Sequence, residues 1–96
     1  MKQILLIDVD NTLTKEECWT PEECLNATPN QDWIDLVNKQ YEEDFIIIYT
    51  ARRDNLTQAT KDWLYKYRVK YHDYNNTKIP GKIYDKDAVN NCKGAK

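Results

Sequence analysis

The stretch "LLIDVDNTLT", residues 5–14, is an apolar run that ends in two acids, Asp8 and Asp10, separated by a single valine. A buried strand ordinarily ends in turn residues such as Gly, Asn or Ser. Two carboxylates at such an end must repel each other, reach water or share a cation. Residues 2–8 read as a strand buried on both faces, because the apolar run is continuous rather than alternating.

A second run of the same character, "FIIIY", occupies residues 45–49. Between the two, residues 14–30, "TKEECWTPEECLNATPN", hold two of the three prolines and show no periodicity. They read as a loop or flap with room for one short helical turn. Residues 31–43 form an amphipathic helix, with Trp33, Leu36, Val37 and Tyr41 on one stripe, Ile34 at its flank and Asn30 as the N-cap. A second helix covers 55–67, burying Leu56, Ala59, Thr60, Trp63, Leu64 and Tyr67, with Asp54 or Asn55 as its cap. A short strand is expected at 69–71, then the polar turn "DYNNTKIPG", a last strand "KIYD" at 82–85, and a polar tail at 89–96. Strands alternating with helices mean βαβ units and a parallel sheet. The expectation is therefore one α/β domain over residues 1–96, with the first strand between those at 45–49 and 82–85.

Composition narrows the function. At 96 residues the chain suits one small domain, able to bury about two-thirds of its unfolded surface. The net charge of -2 gives no general attraction to nucleic acid or acidic membranes. No apolar run is long enough to span a bilayer, and acids interrupt the N-terminal run before a signal-peptide core could form. A cytoplasmic location with no membrane partner is expected. The three cysteines, Cys18, Cys24 and Cys92, match no common zinc spacing, and His72 is the only histidine, so free thiols are expected. With two glycines, the chain has no Gly-rich phosphate loop.

Ligands of an open parallel sheet bind beyond the carboxyl ends of its strands. There the first strand offers Asp8 and Asp10. The second offers Thr50, with Ala51, Arg52 and Arg53 just beyond. The last offers Asp85, with Asp87 two residues on and Lys78 in the loop leading in. Converging carboxylates need a counter-charge, and an oxygen-only set suits Mg²⁺. Thr50, Lys78 and backbone N–H groups of the first loop suit a phosphoryl dianion. This places Asp8 as a nucleophile and Asp10 as a general acid–base. Arg52 stands open between a solvated charge and a substrate contact. Residues 61–74, "KDWLYKYRVKYHDY", interleave bases and aromatics like a single-stranded nucleic-acid platform. Helical spacing assigns most of them to core with snorkelling lysines, and Trp33, Trp63 and the tyrosines are expected inside.

"DVDNTLT" resembles the first motif of the haloacid dehalogenase-like phosphatases, an Asp-x-Asp-x-Thr pattern at the end of the first strand. Thr50 in "IIIYTAR" is similar to the second motif, Lys78 in "NNTKIPG" to the third and Asp85 in "IYDKDA" to the fourth. The likeness runs from about residue 3 to 89 and is strongest to small capless members found in phage and near capsule-synthesis genes. It implies a minimal three-layer Rossmann-like fold without a cap domain, and an aspartyl-phosphate intermediate on Asp8. It also implies Mg²⁺ held by the Asp8 carboxylate, the Asp10 backbone carbonyl and Asp85, with Asn11, Thr12, Ala51 and Arg52 around the substrate.

Three departures accompany the likeness. Asn11 stands where Gly is common, Lys82 competes with Lys78 for the third motif, and the final acids are spaced Asp-Lys-Asp. An intact second acid disfavours dehalogenase chemistry. The implied substrate is a phosphomonoester, with a sugar phosphate, a nucleotide or a nucleic-acid end all open. A polynucleotide 3′-phosphatase and a catalytically silent binding or regulatory protein are the alternatives.

Overall fold

The computed structural model describes residues 3–78 and the backbone of 92–93. Strand β1 (Ile4–Ile7) and strand β2 (Phe45–Tyr49) are parallel neighbours, with Leu5 level with Ile46 and Ile7 with Ile48. Strand β3 (Asp73–Asn75) joins the far side of β2 and β4 (Cys92–Lys93) the far side of β1, giving a parallel sheet in the order β3-β2-β1-β4. Asp8 lies one residue beyond β1 and Thr50 one beyond β2, so both sit on the carboxyl edge.

Both connections from β1 to β2 and from β2 to β3 step across the sheet in the same direction. Right-handed crossovers therefore put helix α2 (Gln31–Gln40) and helix α3 (Thr57–Lys66) on one face. That face carries Leu5, Ile7, Ile46 and Ile48, all buried, and each contributes about 1.5–3 kcal/mol relative to exposure. The opposite face is only half covered: Leu6, Phe45, Ile47 and Tyr49 are half-buried and Ile4 is exposed. Among the described residues β1 is therefore fully buried on one face and not, as expected, on both.

Helix α2 stops at Gln40 instead of 43, because its C-cap Tyr41 is followed by Glu42, Glu43 and Asp44, and acids at a helix C-terminus oppose its dipole. Its inward residues are Ile34 and Val37; Leu36 is exposed, so Ile34 is central rather than flanking. Asn30 precedes the helix without a side-chain cap bond and donates its backbone N–H to the Leu13 carbonyl instead. Helix α3, entered through a 3₁₀ turn at Asp54–Leu56, buries Ala59, Thr60, Trp63 and Leu64.

Its end sets where β3 begins. Arg68 takes φ 57°, its N–H donates to the Tyr65 carbonyl, and the Val69 N–H donates to the Leu64 carbonyl. This is the Schellman arrangement, with Val69 packed inward. Asn38 of α2 then clamps the outgoing chain, donating to the Arg68 carbonyl and accepting from the Lys70 N–H. Residues 69–71 are thereby held off the sheet. Pairing starts at His72, which exchanges hydrogen bonds with Ile46, and the strand falls at 73–75 rather than 69–71.

The expected flap is a packed element. Thr14 bridges Pro29, and helix α1 (Pro21–Leu25) opens with a capping box in which Thr20 and Glu23 each bond the other's backbone. Cys18, Cys24 and Ala27 are buried, and the Trp63 indole N–H donates to the Ala27 carbonyl at 2.9 Å. The strand expected at 82–85 lies outside the described residues, and part of the expected tail, Cys92–Lys93, pairs with β1.

Trp63→Ala should cost about 3–5 kcal/mol in urea denaturation, since it empties a buried site and frees residues 14–30. Trp63→Phe should cost less but leave the Ala27 carbonyl unpaired, seen as faster hydrogen exchange or proteolysis confined to 14–30. Equal protection of that segment in both proteins would show that the indole bond does not secure it.

Candidate functional site

The chain leaves β1 through a wide turn at Val9–Leu13, closed by the Thr14 N–H on the Val9 carbonyl at 3.0 Å. Val9, Thr12 and Leu13 point inward. Asn11 adopts φ 59°, the left-handed region that Asn tolerates better than most residues. The turn therefore sends the two acids to different partners.

Asp8 accepts the Val9 N–H on Oδ1 at 2.9 Å and meets the Lys78 Nζ on Oδ2 at 3.3 Å. Lys78 is almost wholly buried, and its backbone N–H donates to the Thr50 carbonyl at 3.3 Å, which ties its loop to the end of β2. Burial pushes the Asp8 carboxyl above the ordinary carboxylate range, even though the Lys78 charge and hydrogen bond pull it down.

Asp10 turns toward Arg52. The Arg52 Nε lies 3.3 and 3.2 Å from its two oxygens and Nη2 lies 2.8 Å from Oδ1, while the Cys18 N–H donates to Oδ1 at 3.0 Å. Arg52 is 4% exposed, which overturns the reading of a solvated charge. Its Nη1 donates to the Thr60 hydroxyl at 2.9 Å, and that hydroxyl donates to the Leu56 carbonyl at 2.7 Å. Burial works against the guanidinium charge, yet the Asp10 hydrogen bonds and charge hold it above its ordinary value. A planar fork matched to a carboxylate is the strong form of this pair.

Thr50 is fully buried, its hydroxyl accepting the Arg52 N–H at 3.1 Å and its own N–H donating to the Asn75 carbonyl at 2.9 Å. Thr12 is also buried, Ala51 is partly so, and Asn11 is exposed. Asp8, Asp10, Thr50, Arg52 and Lys78 are thus linked around one strand edge. Asp85, Asp87 and Lys82 lie outside the described residues. Among the described residues no group of three His, Cys, Asp or Glu side chains could hold a metal. The Asp8 carboxylate and Asp10 carbonyl are hard oxygen donors, and Mg²⁺ takes few protein ligands of that kind besides water.

Two contributors were missed in the sequence. The Cys18 backbone and the Thr60 hydroxyl complete the setting of Asp10 and Arg52. The Thr20–Glu23 capping box, which fixes the turn after Cys18, was the available signal. Cys18 and Cys24 are free thiols; burial raises both, Cys18 to about 11.

Arg52→Met should strand the Asp10 carboxylate and cost about 3 kcal/mol or more in chemical denaturation. Adding Asp10→Asn should recover part of that loss, whereas simple additivity would mean the two are uncoupled. Native protein at pH 8 should resist thiol labelling at Cys18 and Cys24 until urea unfolds it. The unfolded thiol ionises first, so stability should fall as pH rises from about 9 toward 11. Cys18→Ala should flatten that fall; an unchanged slope would exclude this thiol as its source.

Among the described residues no helix is long and apolar enough to cross a membrane. No family model matches the sequence, and no curated protein matches it. Among solved structures, the chain is similar to one from the "Structure of Pnkp1/Rnl/Hen1 complex", with a TM-score of 0.69 and 16% identity. The match covers 86% of this chain and 31% of that one, a likeness of fold confined to under a third of the larger chain.

Proposed function

We propose that the chain is a Mg²⁺-dependent phosphomonoesterase of the haloacid dehalogenase-like type, working through an aspartyl-phosphate on Asp8. One observation carries the reading. Two acids one residue apart are each paired with a different buried cation, Lys78 and Arg52, beside Thr50 at the same sheet edge. A structural ion pair needs one acid and one base; two separate pairs leave one carboxylate beside an ammonium and the other held by a guanidinium fork.

In the first step an Asp8 carboxylate oxygen attacks phosphorus and the ester P–O bond breaks. The leaving oxygen takes a proton from Asp10, which has first taken that proton from solvent on Oδ2, the oxygen that Arg52 meets through Nε alone. In the second step water attacks phosphorus, gives its proton to Asp10, and the P–O bond to Asp8 breaks, releasing inorganic phosphate. Lys78 stabilises charge on the phosphoryl oxygens, as does the Thr50 hydroxyl, which has a hydrogen to donate. Arg52 and the Cys18 N–H keep the Asp10 carboxylate in position. Mg²⁺ would be held by the Asp8 carboxylate and the Asp10 carbonyl, with Asp85 proposed as a further ligand, and would supply electrophilic stabilisation of the phosphoryl group.

Turnover of one aryl and one alkyl phosphate with Mg²⁺ tests the proposal. Asp8→Asn should lower both by several orders of magnitude. Asp10→Asn should hurt the alkyl ester more, because an alkoxide needs the proton and a nitrophenolate does not. Lys78→Ala should slow both. If wild type hydrolyses no phosphomonoester in a broad panel, the chain is a silent binding protein on this fold.

A further inference from the structure

We infer that Trp19 determines specificity at the site: its indole receives the alcohol half of the substrate and selects small phosphomonoesters whose alcohol carries an uncharged ring. The inference rests on the phosphatase reading for the position of the leaving group.

Asp10 sets that position. To be protonated, the leaving oxygen must come within hydrogen-bond distance of Asp10 Oδ2. The other oxygen, Oδ1, is held by the Cys18 N–H at 3.0 Å. The alcohol therefore departs beside residues 18 and 19, on the flap side, while the phosphoryl group stays with Asp8 and Lys78. Covalent geometry keeps the Trp19 Cα within about 8 Å of Oδ1. An indole on that Cα and a ring stacked against it fill such a gap.

Trp19 is 74% exposed, although tryptophan is a side chain that gains much from burial. Its backbone is nonetheless pinned on both sides. The Trp19 N–H donates to Glu23 Oε1 at 2.7 Å, and the Thr20–Glu23 capping box fixes the turn that follows. Upstream, the Asn11 N–H donates to the Glu16 carbonyl at 3.4 Å, the Thr14 hydroxyl donates to the same carbonyl at 2.7 Å, and the Thr28 N–H donates to Glu16 Oε1 at 2.6 Å. A ring left in solvent on a fixed backbone is a stacking face that needs no ordering of the chain when a ligand arrives. Tyr65 is also exposed, against expectation, but it stands in the last turn of α3, which in a parallel βαβ unit lies at the amino edge of the sheet, away from the leaving group.

Charge sets what the indole accepts. The flap carries Glu16, Glu17, Glu22 and Glu23, all exposed, against Lys15 alone. Arg53, exposed beyond β2, does not reverse that balance. An alcohol bearing further phosphates is repelled there, and an uncharged one is not. A hexose, through its C–H face, and a nucleoside, through its base, share the chemistry that remains.

The test compares kcat/KM with Mg²⁺ for a hexose phosphate, a nucleoside monophosphate, glycerol phosphate as the open-chain ester, and a 3′-phosphorylated oligonucleotide. Acrylamide quenching of tryptophan fluorescence gives a readout independent of turnover. At least one ring ester should exceed both the open-chain ester and the oligonucleotide. Trp19→Ala should lower kcat/KM for that ester about 5- to 100-fold, mainly through KM, the range for loss of one stacking ring, and lower the open-chain ester far less. Trp19→Phe should restore most of the loss, and Leu25→Ala, also exposed on the flap, should change neither ester. Whichever ring ester depends on Trp19 identifies the source of the ring. In Asp8→Asn that ester should shield Trp19 from acrylamide, and glycerol phosphate should not. Equal kcat/KM for ring and open-chain esters, a uniform loss across all esters in Trp19→Ala, preference for the oligonucleotide, or no shielding by either ring ester would overturn the inference. Turnover that depends on Asp8 but not on Trp19 ends only the role of the indole. Shielding by a ring ester in a protein that turns over nothing supports that role and ends the phosphatase reading.

Discussion

Two carboxylates one residue apart at the end of a buried strand cannot both keep their charge without separate compensation. The rest of the site follows from that constraint. The left-handed turn at Asn11 parts Asp8 from Asp10. Lys78 comes to Asp8 from the loop after β3, and its backbone bond to Thr50 fixes that loop. Arg52 comes to Asp10 from the end of β2 and is itself braced by Thr60 of α3. Each acid thus ties β1 to a different part of the chain, so the site and the tertiary fold share the same interactions.

Those interactions were legible in the sequence to different depths. The apolar runs at 4–7 and 45–49 and the helical stripe around Trp63 appear as expected, because hydrophobic periodicity alone decides them. The acids at the end of β1 were readable for the same reason. The partnership of Asp10 with Arg52 was not, since it spans 42 residues and depends on how α3 packs. Sequence context left Arg52 open between a solvated charge and a substrate contact; its bonds to Asp10 and to the buried Thr60 draw it into the packed site.

Local chemistry explains the other differences. Prolines at 21 and 29 suggested a loop, yet Pro21 stands at the start of α1, where a missing N–H costs nothing, and Thr20 with Glu23 caps that helix. The strand expected at 69–71 moves to 73–75 because the Schellman turn and the Asn38 clamp use those residues first. Continuous apolar strands suggested cover on both faces, whereas crossovers stepping one way place α2 and α3 together. Among the described residues, the paired charges lie at the carboxyl edge with an acidic flap beside them.

The central claim is that Asp8 carries the phosphoryl group, and trapping that intermediate tests it most directly. Protein mixed with a phosphomonoester and Mg²⁺, acid-quenched during turnover and reduced with borohydride should yield homoserine at position 8. Asp8→Asn should yield none. Steady turnover with no reducible acyl phosphate, or a label on any other residue, would contradict the account.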